Sequence, residues 1–113
     1  MPRDNESLID IERAARRVLR YAADCDRASL ETNDEKVSAI LYQITIIGEA
    51  TKRLSQDFRQ QHPEIPWREI AGMRDVIVHE YDQVDLDVVW DVVQNKLPNL
   101  LISLQSLLPS EDS

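Results

Sequence analysis

The stretch DEKVSAILYQITIIGEATKRLSQDFRQ, running from Asp34 to Gln60, decides the fold class. Val37, Ile40, Leu41, Ile44, Ile47, Thr51, Leu54 and Phe58 recur at steps of three and four, the spacing of one helix face. A weaker stripe lies roughly opposite: Ala39, Tyr42, Ile46 and Ala50. Thr32 followed by Glu35 resembles a capping box just ahead of this helix.

The same period extends outward in both directions. Upstream, Leu8, Ile11, Ala15, Val18, Ala22 and Cys25 predict a helix from about Glu6 to Ser29. Downstream, His62-Pro63-Glu64-Ile65-Pro66 breaks the pattern, because proline lacks the N–H a helix needs. Pro66 then suits an early helical position of a third helix, about Trp67 to Glu80. Tyr81 to Val84 reads as a short loop. Asp85 is a candidate N-cap for a fourth helix from about Leu86 to Leu108. Leu86, Trp90, Val93, Leu97, Leu100, Leu101, Leu104 and Leu108 form its seam, and Pro98 inside it predicts a kink. No strand is convincing, and there is no repeat. Short connections favour antiparallel neighbours, so the expectation is all-α: an up-and-down bundle of four to five helices in one domain, 1–113. The polar tail, 109–113, is expected to be flexible.

Val88, Val89 and Val92 widen the apolar arc of the fourth helix beyond half its circumference. A helix so apolar is usually buried on two sides. With the second stripe of the Asp34–Gln60 helix, this predicts a homodimer. The alternative is a monomer whose own bundle covers both stripes.

Composition sets bounds on chemistry. The chain has 113 residues, with two Gly and one Cys. Two glycines do not make a Gly-rich phosphate loop. The lone Cys25 excludes an internal disulfide and a Cys-based zinc site. The two histidines, His62 and His79, lack the i, i+4 spacing of a helical zinc site, so no metal is expected, and no cofactor. His62 reads as a surface residue in a proline-flanked loop. No long apolar run opens the chain, so neither a signal peptide nor a membrane span is expected, and the cytoplasm is the default compartment. The net charge is −8, which argues against loose nucleic-acid binding over the whole surface. Residues 1–60 carry ten Lys/Arg against eleven Asp/Glu, and residues 61–113 carry three against ten. Any phosphate-binding surface should therefore draw on the first half.

Two clusters carry candidate chemistry. Arg74-Asp75-Val76-Ile77-Val78-His79-Glu80-Tyr81 holds a fixed cation, an imidazole and a phenol. On a straight helix Arg74 and Tyr81 share a face, whereas His79 sits about 140° round from Arg74. The two converge only if the helix ends or bends near His79, or if two chains meet across a groove. The plainer reading is a solvated Arg74 and Asp75, with His79 and Tyr81 packed at a helix end. The second cluster is Arg13, Arg16, Arg17 and Arg20, at i, i+3, i+4, i+7 opposite the apolar face of the first helix. This is either the solvent face of an amphipathic helix or a ridge for RNA or for an acidic partner.

The stretch Ile65-Pro66-Trp67-Arg68-Glu69-Ile70-Ala71-Gly72-Met73-Arg74-Asp75, then His79-Glu80-Tyr81, resembles the HepT-like branch of the HEPN superfamily. The hallmark Arg, four residues, His, one residue, Tyr is met by Arg74, His79 and Tyr81. Gly48-Glu49-Ala50, Val89-Trp90 and Leu97-Pro98 match further family features, in order. The resemblance implies a helical, usually dimeric protein. It implies the toxin of a bacterial toxin–antitoxin pair, a metal-independent endoribonuclease. Its partner would be a nucleotidyltransferase antitoxin that attaches adenylate to the motif tyrosine. By position, Arg74 and His79 become the catalytic pair, Asp75 a supporting residue and Tyr81 the adenylylated one. Asp75 stands where the family often has Asn. A non-catalytic module that binds the nucleotidyltransferase or a nucleotide is the competing reading, and the acidic second half favours it. A purely structural helical adaptor is a third.

Overall fold

The computed structural model describes residues 2–79 and 83–109. Its elements are α1 (Pro2–Tyr21), α2 (Ser29–Thr32), α3 (Asp34–Arg53), α4 (Gln56–Gln61), α5 (Trp67–Ala71) and α6 (Met73–Ile77). A short antiparallel ladder follows, β1 (Val78–His79) with β2 (Gln83–Val84). Helix α7 (Leu86–Asp91), a π-helical segment (Val92–Lys96) and α8 (Leu97–Leu104) complete the chain.

Helices α1 and α3 run antiparallel as the central hairpin. Lys36 Nζ meets Asp24 at 2.9 Å at one end, and Arg53 meets Asp10 at 3.2 Å at the other. Their facing stripes form the centre of the core: Leu8, Ile11 and Val18 against Ile40, Ile44 and Ile47, all fully buried. Ile77, Val89, Leu97 and Leu104 close the same cluster from α6, α7, the start of α8 and its end. The helical bundle is thus as expected, with a small sheet added.

Several boundaries differ from the periodicity, each for a local reason. The first helix ends at Tyr21 rather than Ser29, because Asp26 Oδ1 accepts from the Ser29 N–H (2.9 Å) and Oγ–H (2.8 Å). Such side-chain bonds compete with the helical ladder. The cap of α3 is Asn33, whose side chain accepts from Lys36 N, not a Thr32/Glu35 box. The expected helix to Gln60 breaks at Leu54, where ψ turns to 138°. Ser55 caps α4 through Phe58 N, while its own N–H and Oγ–H donate to Asp4 at 2.8 Å each. Pro66 precedes α5 as its N-cap rather than lying inside it, and Gly72 interrupts the third helix. That helix ends at Ile77, not Glu80, because Val78 enters the ladder, with Val78 opposite Val84 and His79 opposite Gln83. Asp85 does cap α7, accepting from Val88 N at 3.2 Å.

In the last helix the irregularity precedes Pro98. Leu97 N–H donates to Val92 O, one residue further back than in an α-helix. Pro98 has no N–H for the Gln94 carbonyl, and its ring crowds that oxygen. A π turn widens the register at that point. The helix then stops at Leu104, before the expected Leu108. The valine arc finds its cover inside one chain: Val89 and Val92 are buried and Val88 half-buried. Of the second stripe on α3, Ala50 is buried and Ile46 half-buried, and only Ala39 and Tyr42 stay open, Tyr42 at 66%. The arc therefore does not by itself require a second copy. No helix among the described residues is long and apolar enough to cross a membrane. Of the expected tail, residues 110–113 lie outside the described residues.

Candidate active site

The position of Arg74 is set by a close approach between α3 and α5. A Cβ at Gly48 would stand 3.1 Å from the Ala71 carbonyl oxygen, so the backbones meet because Gly48 has no side chain. Gly72 follows at once, its N–H shared between the Arg68 and Glu69 carbonyls at 3.1 and 3.2 Å, and α6 starts at Met73. Met73 and Ile77 anchor α6 in the core. Arg74 and Asp75 are thereby turned outward, both exposed.

Between α3 and the α5–α6 corner lies a depression of about 280 Å³. Thr45, Gly48, Glu49 and Lys52 form one wall, and Ala71, Arg74 and Asp75 the other. Lys52 Nζ stands 3.5 Å from Glu49, and Arg74 Nη1 stands 3.6 Å from Asp75 Oδ1. Both pairs are long and solvent-exposed, so neither cation is strongly committed to its partner. The cleft offers two cations to an anion and two carboxylates that can orient them.

His79 is exposed on β1, just beyond the end of α6. The end of α6 at Ile77 removes the straight-helix geometry that would hold His79 about 140° from Arg74. His79 is not among the residues lining the depression. Tyr81, the candidate modified residue, lies outside the described residues, as do Glu80 and Asp82. His62 is half-buried rather than a free surface group. Its ring lies 4.7 Å from the Phe58 ring, tilted at 49°, its Nδ1 stands 3.7 Å from Glu64, and its carbonyl accepts from Trp67 Nε1 at 3.0 Å. It serves the loop before α5. Among the described residues no group of three or more His, Cys, Asp or Glu side chains could hold a metal ion.

The arginine stripe is exposed along α1. Arg16 pairs with Glu12 at 3.2 Å, and the Arg20 guanidinium lies 5.7 Å from the Tyr21 ring centre. Arg13 and Arg17 have no hydrogen-bonded or ionic partner among the described residues. Thr45, Glu49 and Lys52 were not singled out as site residues from the sequence, although Gly48-Glu49-Ala50 drew notice as a family feature. Their i, i+4, i+7 spacing on the polar face of α3 is the signal that marks them.

Comparison with known proteins identifies the family. The family model described as "Ribonuclease HepT-like" matches residues 11–107. "Putative RNase TTE0752" of Caldanaerobacter subterraneus is 40% identical over 73 residues, 65% of this chain and 65% of its own. "Probable ribonuclease HepT" of Thermococcus cleftensis is 48% identical over 62 residues, 55% of this chain and 56% of its own. "Putative RNase MJ1380" of Methanocaldococcus jannaschii is 31% identical over 93 residues, 82% of this chain and 85% of its own. The match therefore spans between about half and two thirds of the first two relatives and most of the third. No solved structure matches. The chain belongs to the HepT-like ribonuclease family.

Proposed function

We propose that this chain is a ribonuclease that cuts RNA without a metal ion, and the toxin of a toxin–antitoxin pair in the cytoplasm. The observation that carries the reading is Arg74, exposed in a polar cleft that Gly48 opens, in a chain of the HepT-like ribonuclease family. RNA brings its own nucleophile. The 2'-oxygen attacks the adjacent phosphorus as its proton passes to a base, and the P–O5' bond breaks as the leaving oxygen gains a proton. The products are a 2',3'-cyclic phosphate, which water opens to a 3'-phosphate, and a 5'-hydroxyl. Arg74 binds the non-bridging oxygens, where negative charge grows in the transition state. His79 moves the proton, since an imidazole can both accept and donate one. Asp75, 3.6 Å from Arg74, orients the guanidinium. In a homodimer, two Arg74/His79 pairs facing one groove supply a base and an acid. A nucleotidyltransferase antitoxin neutralises the enzyme by placing adenylate on Tyr81, where bulk and negative charge repel RNA.

Cleavage of RNA in the presence of EDTA tests the chemistry. Wild type is expected to cut, and Arg74→Ala and His79→Ala to lose at least a hundredfold in rate. Equal rates in all three proteins contradict the assignment. For the antitoxin, intact mass after co-expression with the nucleotidyltransferase should rise by whole adenylate units, and Tyr81→Phe should abolish the rise. Addition that survives Tyr81→Phe places the modification elsewhere.

The acidic second half, with three Lys/Arg against ten Asp/Glu over residues 61–113, favours a second reading. Here the chain is a non-catalytic partner of the nucleotidyltransferase. Stable co-purification with no RNA cleavage by unmodified protein supports it.

A further inference from the structure

Helix periodicity puts cations, an aromatic ring and the carboxylates Asp10 and Glu49 on the outward sides of α1 and α3. Arg53 Nη2 meets Asp10 Oδ2 at 3.2 Å and bridges α3 to α1. Arg17 lies seven residues after Asp10, two turns along the same side of α1, with Arg13 between them. On α3, Arg53 lies one turn from Glu49, which lines the cleft with Lys52 and Arg74. Tyr42 lies seven residues before Glu49 on that same outward side and is 66% exposed. Arg13 and Arg17 have no partner among the described residues, and they stand outside an otherwise acidic molecule.

We infer that this face is the path of a single RNA strand, which runs from Arg74 across α3, stacks a base on Tyr42 and lays its phosphates on Arg17 and Arg13. The inference rests on the ribonuclease reading above and names how that site takes its substrate. Two helix-to-helix steps of about 8–10 Å each separate α6 from α1, a span of a few nucleotides. The rise from Arg13 to Arg17, about 6 Å, suits successive phosphates on one strand. An exposed ring among cations is the usual composition of a single-strand platform, in which stacking tolerates any base. An acidic protein partner would use the arginines but has no need of the ring. The track also bears on the charge problem, because it sets two cations unpaired among the described residues, Arg13 and Arg17, on one side of a −8 chain.

The test is binding of a labelled single-stranded RNA of about twelve nucleotides, followed by anisotropy across a salt series. Cleavage of the same RNA and of a dinucleotide is measured beside it. The double variant Arg13→Gln/Arg17→Gln should weaken binding about tenfold at low salt. It should also reduce the slope of log K against log salt by about 1.4, for two lost phosphate contacts. Tyr42→Ala should weaken binding, and Tyr42→Phe should restore it, because stacking needs the ring and not the hydroxyl. Dinucleotide cleavage should be unchanged in all of these. Arg27→Gln serves as the control, since Arg27 is held by Asp87 on α7; it should leave binding unchanged. Unchanged RNA binding by the double variant and by Tyr42→Ala overturns the track. So does an altered oligomeric mass in Tyr42→Ala, which would give the face to a second copy. So does loss of nucleotidyltransferase binding with RNA binding intact. If wild type cleaves neither RNA, the nuclease reading fails, and the binding series still decides the track.

Discussion

At the scale of the residue, Gly48 lets α3 approach the α5–α6 corner that carries Arg74. Adding a Cβ puts it 3.1 Å from the Ala71 carbonyl oxygen, so either α3 or the α5–α6 corner must give by a few tenths of an ångström. Alanine is also favoured over glycine inside a helix by about 1 kcal/mol. The two effects oppose each other in stability but not in function. Gly48→Ala should therefore melt within a few degrees of wild type while cutting RNA more slowly. Gly48→Val adds two methyls against the same backbone and should lose about 1–3 kcal/mol by overpacking. Thermal melts beside initial rates check both, and a Gly48→Ala protein with the wild-type rate would detach Arg74 from this contact. Arg74 and Asp75 were legible as candidates in the chain because a fixed cation and a carboxylate stand beside an imidazole in few residues. The opposite wall of Thr45, Glu49 and Lys52 was not. It lies more than twenty residues upstream, and only the Gly48–Ala71 approach brings it there.

At the scale of the element, the break between α3 and α4 is held from a distance. Asp4 is 5% exposed and accepts from both Ser55 N and Ser55 Oγ. Burial raises its pKa, but the Ser55 hydrogen bonds, together with the charge of the chain's N-terminus, outweigh this and hold the carboxyl below the usual carboxylate value. The sign follows from that direction. The unfolded chain releases this proton near pH 3.9, and the native chain lower. The stabilisation is therefore complete above the unfolded value and is lost as pH falls through the native one. Asp4→Ala should lower the melting temperature by several degrees at pH 7, and the gap to wild type should narrow below about pH 4. A gap that stays constant across a pH 3–7 melt series contradicts this role. Residues 34–60 read as one helix because the stripe from Val37 to Phe58 is continuous, and periodicity carries no trace of a carboxylate 51 residues away. The α1, α3 and α8 stripes were legible because their partners are apolar and any helix would do. The β1–β2 ladder was not, since two-residue strands have no period to see.

At the scale of the whole molecule, the question is what the bundle leaves open. The wide valine arc pointed to a partner, but Val89, Val92 and Val93 are all buried within one chain. The proposed homodimer thus rests on the two Arg74/His79 pairs that the proposed chemistry calls for rather than on the arc. Light scattering should give twice the 13.1 kDa chain mass, and a single-chain mass across micromolar concentrations contradicts it. The split in charge has the same scale: the α1 arginines lie in a near-neutral first half, and the second half is acidic.

The central claim is that Arg74 and His79 cut RNA using the substrate's own 2'-hydroxyl. The most direct measurement takes EDTA-treated protein and one RNA in two forms, with and without a single 2'-deoxy substitution at the mapped cut. Wild type should leave a cyclic or 3'-phosphate and a 5'-hydroxyl on the natural strand and should fail at the substituted position. Cleavage that persists at the deoxy position, or products with a 5'-phosphate and a 3'-hydroxyl, would contradict the account.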